Sequence, residues 1–413
     1  MHLSVFTPSH EPRFLDDCYR SLTAQTHEQW EWIVLLNGRA RDWAPPAPDD
    51  RVKTFRVPRA VKGVGAAKRA ACEQATGKIL VELDHDDVLA STCLSKIAGA
   101  FEAHPEVVLV YSDFAQINED GTANHTRFNE AMGWVYDEVD VDGESQLRCQ
   151  AMEPSPHNVG YIWYAPNHVR AFRRTAYDEV GGYDAALDVL DDQDLMMRLF
   201  TVGDFRRIPE CLYLQRIHGR NTQVDPATNA HIQQQTVTMH LQNIDTLATQ
   251  WAQRLKLVSV TLRTEDMPGS APPDEEVMII AATTPVLPYA DNSVGVIKAN
   301  ELLQRLPDRA AFFNECHRVL VHGGMLLTET PSTDGRGAFQ DPSHVAFYNE
   351  NSFWYLTQAS LRPSIPTLIA RFQMSQLRTY YPTPWHEQML IPYVQANLLC
   401  LKDGPRQGGP LLV

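Results

Sequence analysis

The sequence predicts an α/β protein made of two successive α/β units. Three observations carry this. Short apolar runs alternate with helical periodicities through residues 1–90, which is the rhythm of a mostly parallel sheet with crossover helices. The run Lys78-Ile79-Leu80-Val81-Glu82-Leu83 reads as a strand buried on both faces and stops abruptly in Asp84-His85-Asp86-Asp87. A second strand-and-helix series begins after a Gln- and Thr-rich helical stretch at residues 229–251.

Taken in order, residues 3–6 form a short strand ending in Thr7-Pro8. Pro12 then opens a helix with Leu15, Cys18, Tyr19 and Leu22 on one face. Strands follow at residues 30–36, closed by Asn37-Gly38, and at 52–57 after a Pro-rich loop. Lys62-Gly63-Val64-Gly65 leads into an alanine-rich helix closed by Gly77. Beyond the acidic tetrad, Leu94, Ile97, Ala98 and Phe101 mark a helix and residues 107–111 a strand. Residues 115–160 read as polar, aromatic and irregular, which suggests an acceptor-facing surface. Order returns at 173–180, the Gly181-Gly182 turn, a helix opening near Leu190-Asp191-Asp192, and a strand over 204–214. After a loop at 265–276 come strands at 276–281 and 294–299, a helix at 308–320, a Gly323-Gly324 turn and a strand at 325–329. The expected division is a first domain over 1–225, a bridging helix over 226–256 and a second domain over 257–413.

Composition narrows the function classes. With 413 residues, 44% hydrophobic and 21% charged, the chain has the make-up of an ordinary soluble protein. Its net charge of -15 argues against a broad grip on nucleic acid or an anionic membrane. Seven scattered cysteines without a CxxC pair suggest neither a disulfide framework nor a zinc site. No apolar run approaches membrane-spanning length, so a cytoplasmic protein without stable membrane insertion is expected.

The acidic tetrad is the candidate site, because the carboxyl ends of strands are where open α/β sheets bind ligands. If the backbone stays extended, Asp84 and Asp86 share a face and repel unless a cation lies between them. Oxygen ligands of this kind suit Mn2+ or Mg2+ carrying a diphosphate, and the plain alternative is a solvated acidic turn. Gly63 and Gly65 with Lys68 and Arg69 put amides and positive charge at a helix start, which suits phosphate. For Asp191 and Asp192 the simplest alternative is helix capping.

These segments, with Gly181-Gly182-Tyr183-Asp184 through Leu190-Asp191-Asp192-Gln193-Asp194-Leu195 and then Tyr213-Leu214-Gln215-Arg216-Ile217-His218, resemble GT-A glycosyltransferases. The resemblance is specifically to the inverting family 2 and covers roughly residues 1–225. It implies a GT-A nucleotide-sugar-binding fold and a nucleotide-sugar donor, a UDP-sugar being expected. Asp86 would ligate the cation, and His218 would meet the metal or the donor phosphates. Asp84 would contact the nucleoside or assist the metal, with His85 and Asp191 also at the donor. Thr7, Pro8 and Asn37 would surround the base, and Gly63 with Lys68 or Arg69 would lie by the diphosphate. Asp192 would be the catalytic base. One departure is Leu36-Asn37-Gly38, which stands where the family usually carries an acidic pair for the nucleobase; an amide reads a base edge differently.

In the second half, Leu287-Pro288-Tyr289-Ala290-Asp291-Asn292-Ser293, Ala299-Asn300-Glu301-Leu302-Leu303 and the run from Phe313 to Gly324 resemble the later motifs of class I S-adenosylmethionine-dependent methyltransferases. The stretches 335–344 and 347–354 extend this toward forms associated with phage and bacterial glycan loci, in which case the host cytoplasm is the expected location. The resemblance implies a Rossmann-like domain, here truncated. Where a glycine loop belongs the chain reads Lys256 to Thr264 with no glycine before Gly269, so no S-adenosylmethionine is expected. Such a domain would serve packing, acceptor docking or homo-oligomerisation. His344, Asn349 and Glu350 form a polar cluster there, most simply a hydrogen-bonded loop. The expected function is inverting, metal-dependent sugar transfer to an acceptor hydroxyl on a glycan, a protein or hydroxymethylated nucleic acid. The competing readings are a bifunctional glycosyltransferase-methyltransferase and a non-catalytic nucleotide- or carbohydrate-binding scaffold.

Overall fold

The computed structural model describes every residue except 58–60, 162–165, 222–223, 266, 268–275, 284 and 410–413. Most of the loop read at 265–276 therefore lies outside the described residues. The chain divides into two compact units, Met1–Ile244 and Asp245–Val413.

The first unit is built on a ten-stranded sheet whose main path runs β3-β2-β1-β4-β9-β6-β10-β5. Strands β1 (Leu3–Ser9), β2 (Trp30–Leu36), β3 (Val52–Arg56) and β4 (Ile79–Glu82) are mutually parallel. They are linked by helices α1 (Leu15–Thr23) and α2 (Val64–Gln74). Beyond β4 come β5 (Val88–Leu89), α3 (Cys93–Ala103), β6 (Val107–Asn118), β7 (Val135–Val141), β8 (Glu144–Gln150), β9 (Ala171–Arg173), α4 (Arg174–Glu179), α5 (Asp191–Val202) and β10 (Asp204–Ile217). β9 is antiparallel to both β4 and β6, and β10 is parallel to β6 and antiparallel to β5.

Alternation along each strand sends side chains to two cores. Ile79, Val81 and Leu83 pack into one with Val5, Trp32 and Val34, while Leu80 enters the other with Phe6, Ile33 and Leu35. All four residues of the β4 run, Ile79, Leu80, Val81 and Leu83, are fully buried. At the amino end of β2, Glu31 is also buried. It accepts from Ser4 Oγ at 2.6 Å, from Thr76 N and Oγ1 at 2.5 and 2.7 Å, and from Lys53 Nζ at 2.5 Å.

Two expectations are corrected here. Residues 115–160 are not irregular throughout: β6 runs to Asn118, and β7 and β8 form a regular hairpin. Its turn is Asp142-Gly143, both at positive φ (54° and 90°), the conformation that an Asp-Gly pair accommodates. Asp137 stands between Val135 and Val139 on the same face of β7 and interrupts the alternation, and Val135 is itself exposed. The backbone also does not stay extended through the tetrad, because the Asp87 N–H bonds to the Asp84 carbonyl at 3.3 Å and the chain reverses into β5.

Helix α6 spans Pro226–Arg254. The second unit's sheet follows the order β12-β11-β13-β14-β16-β15, from β11 (Val258–Arg263), β12 (Glu276–Ile279), β13 (Val294–Lys298), β14 (Leu320–Pro331), β15 (Phe372–Tyr380) and β16 (Tyr393–Cys400). The first four are parallel; β16 is antiparallel to β14 and to β15. Helices α7 (Arg309–Val319), α8 (Gly337–Gln340), α9 (Glu350–Thr357) and α10 (Pro384–Gln388) complete it. The segment Lys256 to Thr264 thus holds the strand β11, and Gly323-Gly324 lies inside β14 rather than ending a turn, with Gly323 at φ 77°. Asn349 caps α9 through a reciprocal capping box with Ser352. All seven cysteines are free and buried.

Candidate active site

The site assembles at the carboxyl end of β4, where the end of β10 is tied to the tetrad. Antiparallel pairing of Tyr213 with Leu89 and Leu214 with Val88 brings the end of β10 back over the tetrad. Arg216 stands at the end of β10 beside the tetrad and His218 follows just past the strand's end. Arg216 donates from its backbone N to Asp87 Oδ1 at 2.6 Å and from Nε to the Asp86 carbonyl at 2.8 Å. The Tyr213 hydroxyl donates to Asp87 Oδ2 at 2.7 Å. Asp87 is therefore the tetrad's anchor, 2% exposed and fully engaged; burial, then Asp86 and Asp84, pushes its carboxyl well up.

Asp86 and His218 are joined, with Nε2 at 2.8 Å from Oδ2 and Asn221 Nδ2 at 3.4 Å from the same oxygen. Burial opposes ionisation of Asp86, but the His218 hydrogen bond holds its carboxyl below the usual range. The Arg220 N–H points at His218 Nδ1 at 3.1 Å, so Nδ1 accepts and Nε2 carries the proton offered to Asp86. Asp84 and Asp87 form a second grouping with His168: one ligand atom from each lies within 4.8 Å of the others. His168 stacks on Tyr213 at 4.5 Å, and its Nδ1 is buried without a hydrogen-bond partner among the described residues. Burial pushes Asp84 up to about 7.

Asp191 and Asp192 belong to a buried ion network. Lys68 Nζ lies 2.7 Å from Glu82 and 3.0 Å from Asp191, and Arg170 Nη1 lies 3.1 Å from Glu82 and 2.7 Å from Asp192. Asp192 also accepts from the Gln193 N–H at 2.8 Å. Burial works against its charge, but Arg170 and then Lys68 outweigh it and hold the carboxyl at about 2. Neither aspartate is a capping residue. The N-cap of α5 is Leu190, at φ 62° and with no side-chain bond, a strained backbone position at the helix that carries both carboxylates.

The remaining candidates are placed as follows. Thr7 is fully buried, donating to the Leu83 carbonyl at 2.8 Å and accepting from Trp32 Nε1 at 2.8 Å. Pro8 and Asn37 lie at the carboxyl ends of β1 and β2, and exposed Asn37 turns its amide oxygen back to the Gly38 N–H at 2.7 Å. His85 meets His10 edge-on at 5.0 Å. Gly63, at φ 84°, opens α2 under the 184–191 segment: a Cβ there would meet Asp188 Oδ1 at 2.6 Å, and one on Gly65 the Asp184 carbonyl at 2.4 Å. Lys68 is buried against its two carboxylates, and Arg69 donates to the Gly181 and Tyr183 carbonyls at 3.1 and 3.0 Å. Sequence reasoning missed Glu82, Arg170, Tyr213, Arg216, His168 and Asn221. Glu82 carried a signal, since a carboxylate inside a buried strand requires a cation; Arg170 carried none.

Residues 4–181 match the family model described as glycosyl transferase family 2. The chain carries a family 2 glycosyltransferase domain. Residues 233–328 match a model described as a methyltransferase domain, so the glycosyltransferase domain is fused to a methyltransferase-type one. Among curated relatives, the chain is 27% identical over 252 residues to O-antigen biosynthesis protein RfbC of Myxococcus xanthus, covering 56% of this chain and 17% of that protein. It is 22% identical over 227 residues to chondroitin synthase of Escherichia coli, covering 54% of this chain and 30% of that one. The chain thus spans less than a third of the length of either. Among solved structures, S. aureus TarS 1-349 in complex with UDP-GlcNAc aligns at 13% identity and a TM-score of 0.43, covering 62% of this chain and 73% of that one. Among the described residues no helix is long and apolar enough to cross a membrane.

Proposed function

We propose that the glycosyltransferase domain moves a sugar, with inversion, from a nucleoside diphosphate donor of the UDP-sugar type to an acceptor hydroxyl, and that it needs Mn2+ or Mg2+. The observation that carries this reading is the meeting of Asp86 with His218 at 2.8 Å, 132 residues apart in sequence, in a unit that also holds a buried aspartate, Asp192, paired with Arg170. The residues fit a hard divalent cation: Asp86 supplies a carboxylate, and His218 a ring nitrogen once its proton moves to Nδ1 and the Arg220 N–H is released. Bound there, such an ion would neutralise charge developing on the leaving diphosphate.

The chain's own residues do the rest. Asp87, locked by Tyr213 and Arg216, fixes the turn that presents Asp84 and Asp86. Asp192 stays ionised at neutral pH and can accept the acceptor hydroxyl's proton at its carboxylate. A single base opposite the leaving group gives inversion, by the logic that separates inverting from retaining glycosidases. Arg170 orients that carboxylate but also lowers its basicity, so proton transfer is expected late, once the attacking oxygen has become acidic.

The test is to incubate the intact protein with labelled UDP-sugars and candidate acceptors, with and without chelator. Metal-dependent transfer giving a product of inverted anomeric configuration is the expected result. Donor binding without transfer to any acceptor would favour the scaffold reading.

A further inference from the structure

The first turn of α5 carries the candidate base, yet its own sequence does little to hold it. The N-cap, Leu190, sits at φ 62° and makes no side-chain hydrogen bond. A left-handed residue other than glycine persists only where its surroundings keep it there. The carboxylates of Asp191 and Asp192 are engaged by Lys68 and Arg170. The Gln193 N–H, one of those that a helix start leaves without an intrahelical acceptor, ends on Asp192 Oδ1 at 2.8 Å. A shift of the Gln193 backbone therefore moves the carboxylate with it.

The Gln193 side chain is turned to a different task. It is 1% exposed, and its amide is satisfied at both ends. Nε2 donates to the Gly160 carbonyl and, at 3.4 Å, to the Thr236 carbonyl, while Oε1 accepts from Thr236 Oγ1 at 3.2 Å. Thr236 belongs to the part of α6 that lies in the first unit. There Ile232, Thr236, His240 and Ile244 recur at four-residue spacing and are all buried, so one face of the helix is packed. His240 is fully buried, lies 4.6 Å from the Tyr161 ring, and has neither ring nitrogen hydrogen-bonded among the described residues. It holds by shape. A Cβ on Gly160 would meet His240 Nδ1 at 2.3 Å and Met197 Sδ at 3.3 Å, so the missing side chain at residue 160 is what lets α5 and α6 close on the same backbone. An amide buried this deeply and deprived of a partner would be left unsatisfied, and the turn would have to move to recover one.

We infer that Gln193 is a positioning residue for the proposed sugar transfer: Thr236 of α6 and the Gly160 carbonyl grip its side chain and so fix the direction in which Asp192 presents its carboxylate. This rests on the proposed role of Asp192 as the base. Gln193 acts through that carboxylate rather than on the reacting atoms. The effect is geometric, and a displacement of about 1 Å at a reacting group can cost on the order of a hundredfold in rate.

Steady-state kinetics of the intact protein with UDP-sugar, acceptor and Mn2+ test it, alongside hydrogen exchange of the peptide spanning residues 190–196. Gln193→Met keeps the length and loses the amide; Thr236→Val keeps the shape and loses the hydroxyl, which Thr236→Ser retains. The expected result is a kcat about tenfold lower in Gln193→Met and lowered less in Thr236→Val, with donor KM and UDP affinity unchanged. The peptide should exchange faster in both, and Thr236→Ser should match the wild type in both readouts. Unchanged kcat in Gln193→Met, or kcat and UDP affinity falling together with the melting temperature, would overturn the inference. Should Gln193→Met not fold, the Thr236 pair decides, and equal kcat in Thr236→Val and Thr236→Ser overturns it. Faster exchange in Gln193→Met and Thr236→Val, but not in Thr236→Ser, in a protein that transfers sugar to no acceptor would sink the proposed transfer and leave the hold of α6 on the Asp192 turn standing.

Discussion

Arg170 donates to Asp192 at 2.7 Å through the same Nη1 that meets Glu82 at 3.1 Å, so the candidate base and a buried strand carboxylate share one cation. Glu82 is 1% exposed and Arg170 3%. Removing the cation leaves two carboxylates in a dry site. Arg170→Met should therefore cost on the order of 3–5 kcal/mol, read from urea midpoints, whereas an exposed ion pair would cost little. An unchanged midpoint would show that Lys68 alone suffices.

Asp192→Asn preserves shape and removes the basic lone pair. UDP affinity should survive while transfer falls by a factor on the order of a hundred or more. Near-normal transfer would move the base elsewhere, with Asp191 the first to examine.

A diphosphate brought beside Asp84 and Asp86 without a cation meets like charge. UDP is thus expected to bind much more weakly in chelator than in Mn2+ by calorimetry, and Asp86→Asn should erase the difference. Equal affinity with and without the ion sinks the metal assignment.

Gly65 faces the segment that carries the aspartates: an added Cβ would sit 2.4 Å from the Asp184 carbonyl and 3.1 Å from Asp191 Cβ. Backbone cannot yield as a flexible side chain does, so Gly65→Ala should displace α5's first turn. Transfer should drop further than the melting temperature suggests. Gly99→Ala, at a position where an added Cβ meets nothing, serves as the comparison and should be near neutral.

Glu31 supplies a pH prediction away from the site. Burial raises its pKa, but hydrogen bonds from Lys53, Ser4 and Thr76 prevail and bring the carboxyl from 4.5 to about 2. A depressed carboxyl contributes stability above its unfolded value and loses it as pH falls through the folded one. Between about pH 5 and pH 2 the wild type should therefore lose melting temperature more steeply than Glu31→Gln. Parallel curves would mean that these bonds persist in the unfolded chain.

The sequence by itself determined the elements whose signal is local. Ile79, Leu80, Val81 and Leu83 specify a strand buried on both sides because no other arrangement removes so much adjacent apolar surface from water, and Leu15, Cys18, Tyr19 and Leu22 specify one helix face for the same reason. It also placed carboxylates at the end of a central strand. The hairpin at 135–150 was equally legible in Asp142-Gly143, but Asp137, on the valine face of β7, broke its alternation. Only the tertiary structure decided the partners. Glu82 and Arg170 are 88 residues apart, Asp86 and His218 132, and the pairing of β9 with β4 and of β10 with β6 and β5 brings each pair together. A buried charge announces that it needs a counter-ion, yet which arginine answers depends on sheet order and register, and those are settled by the packing of the whole unit rather than by the residues beside it.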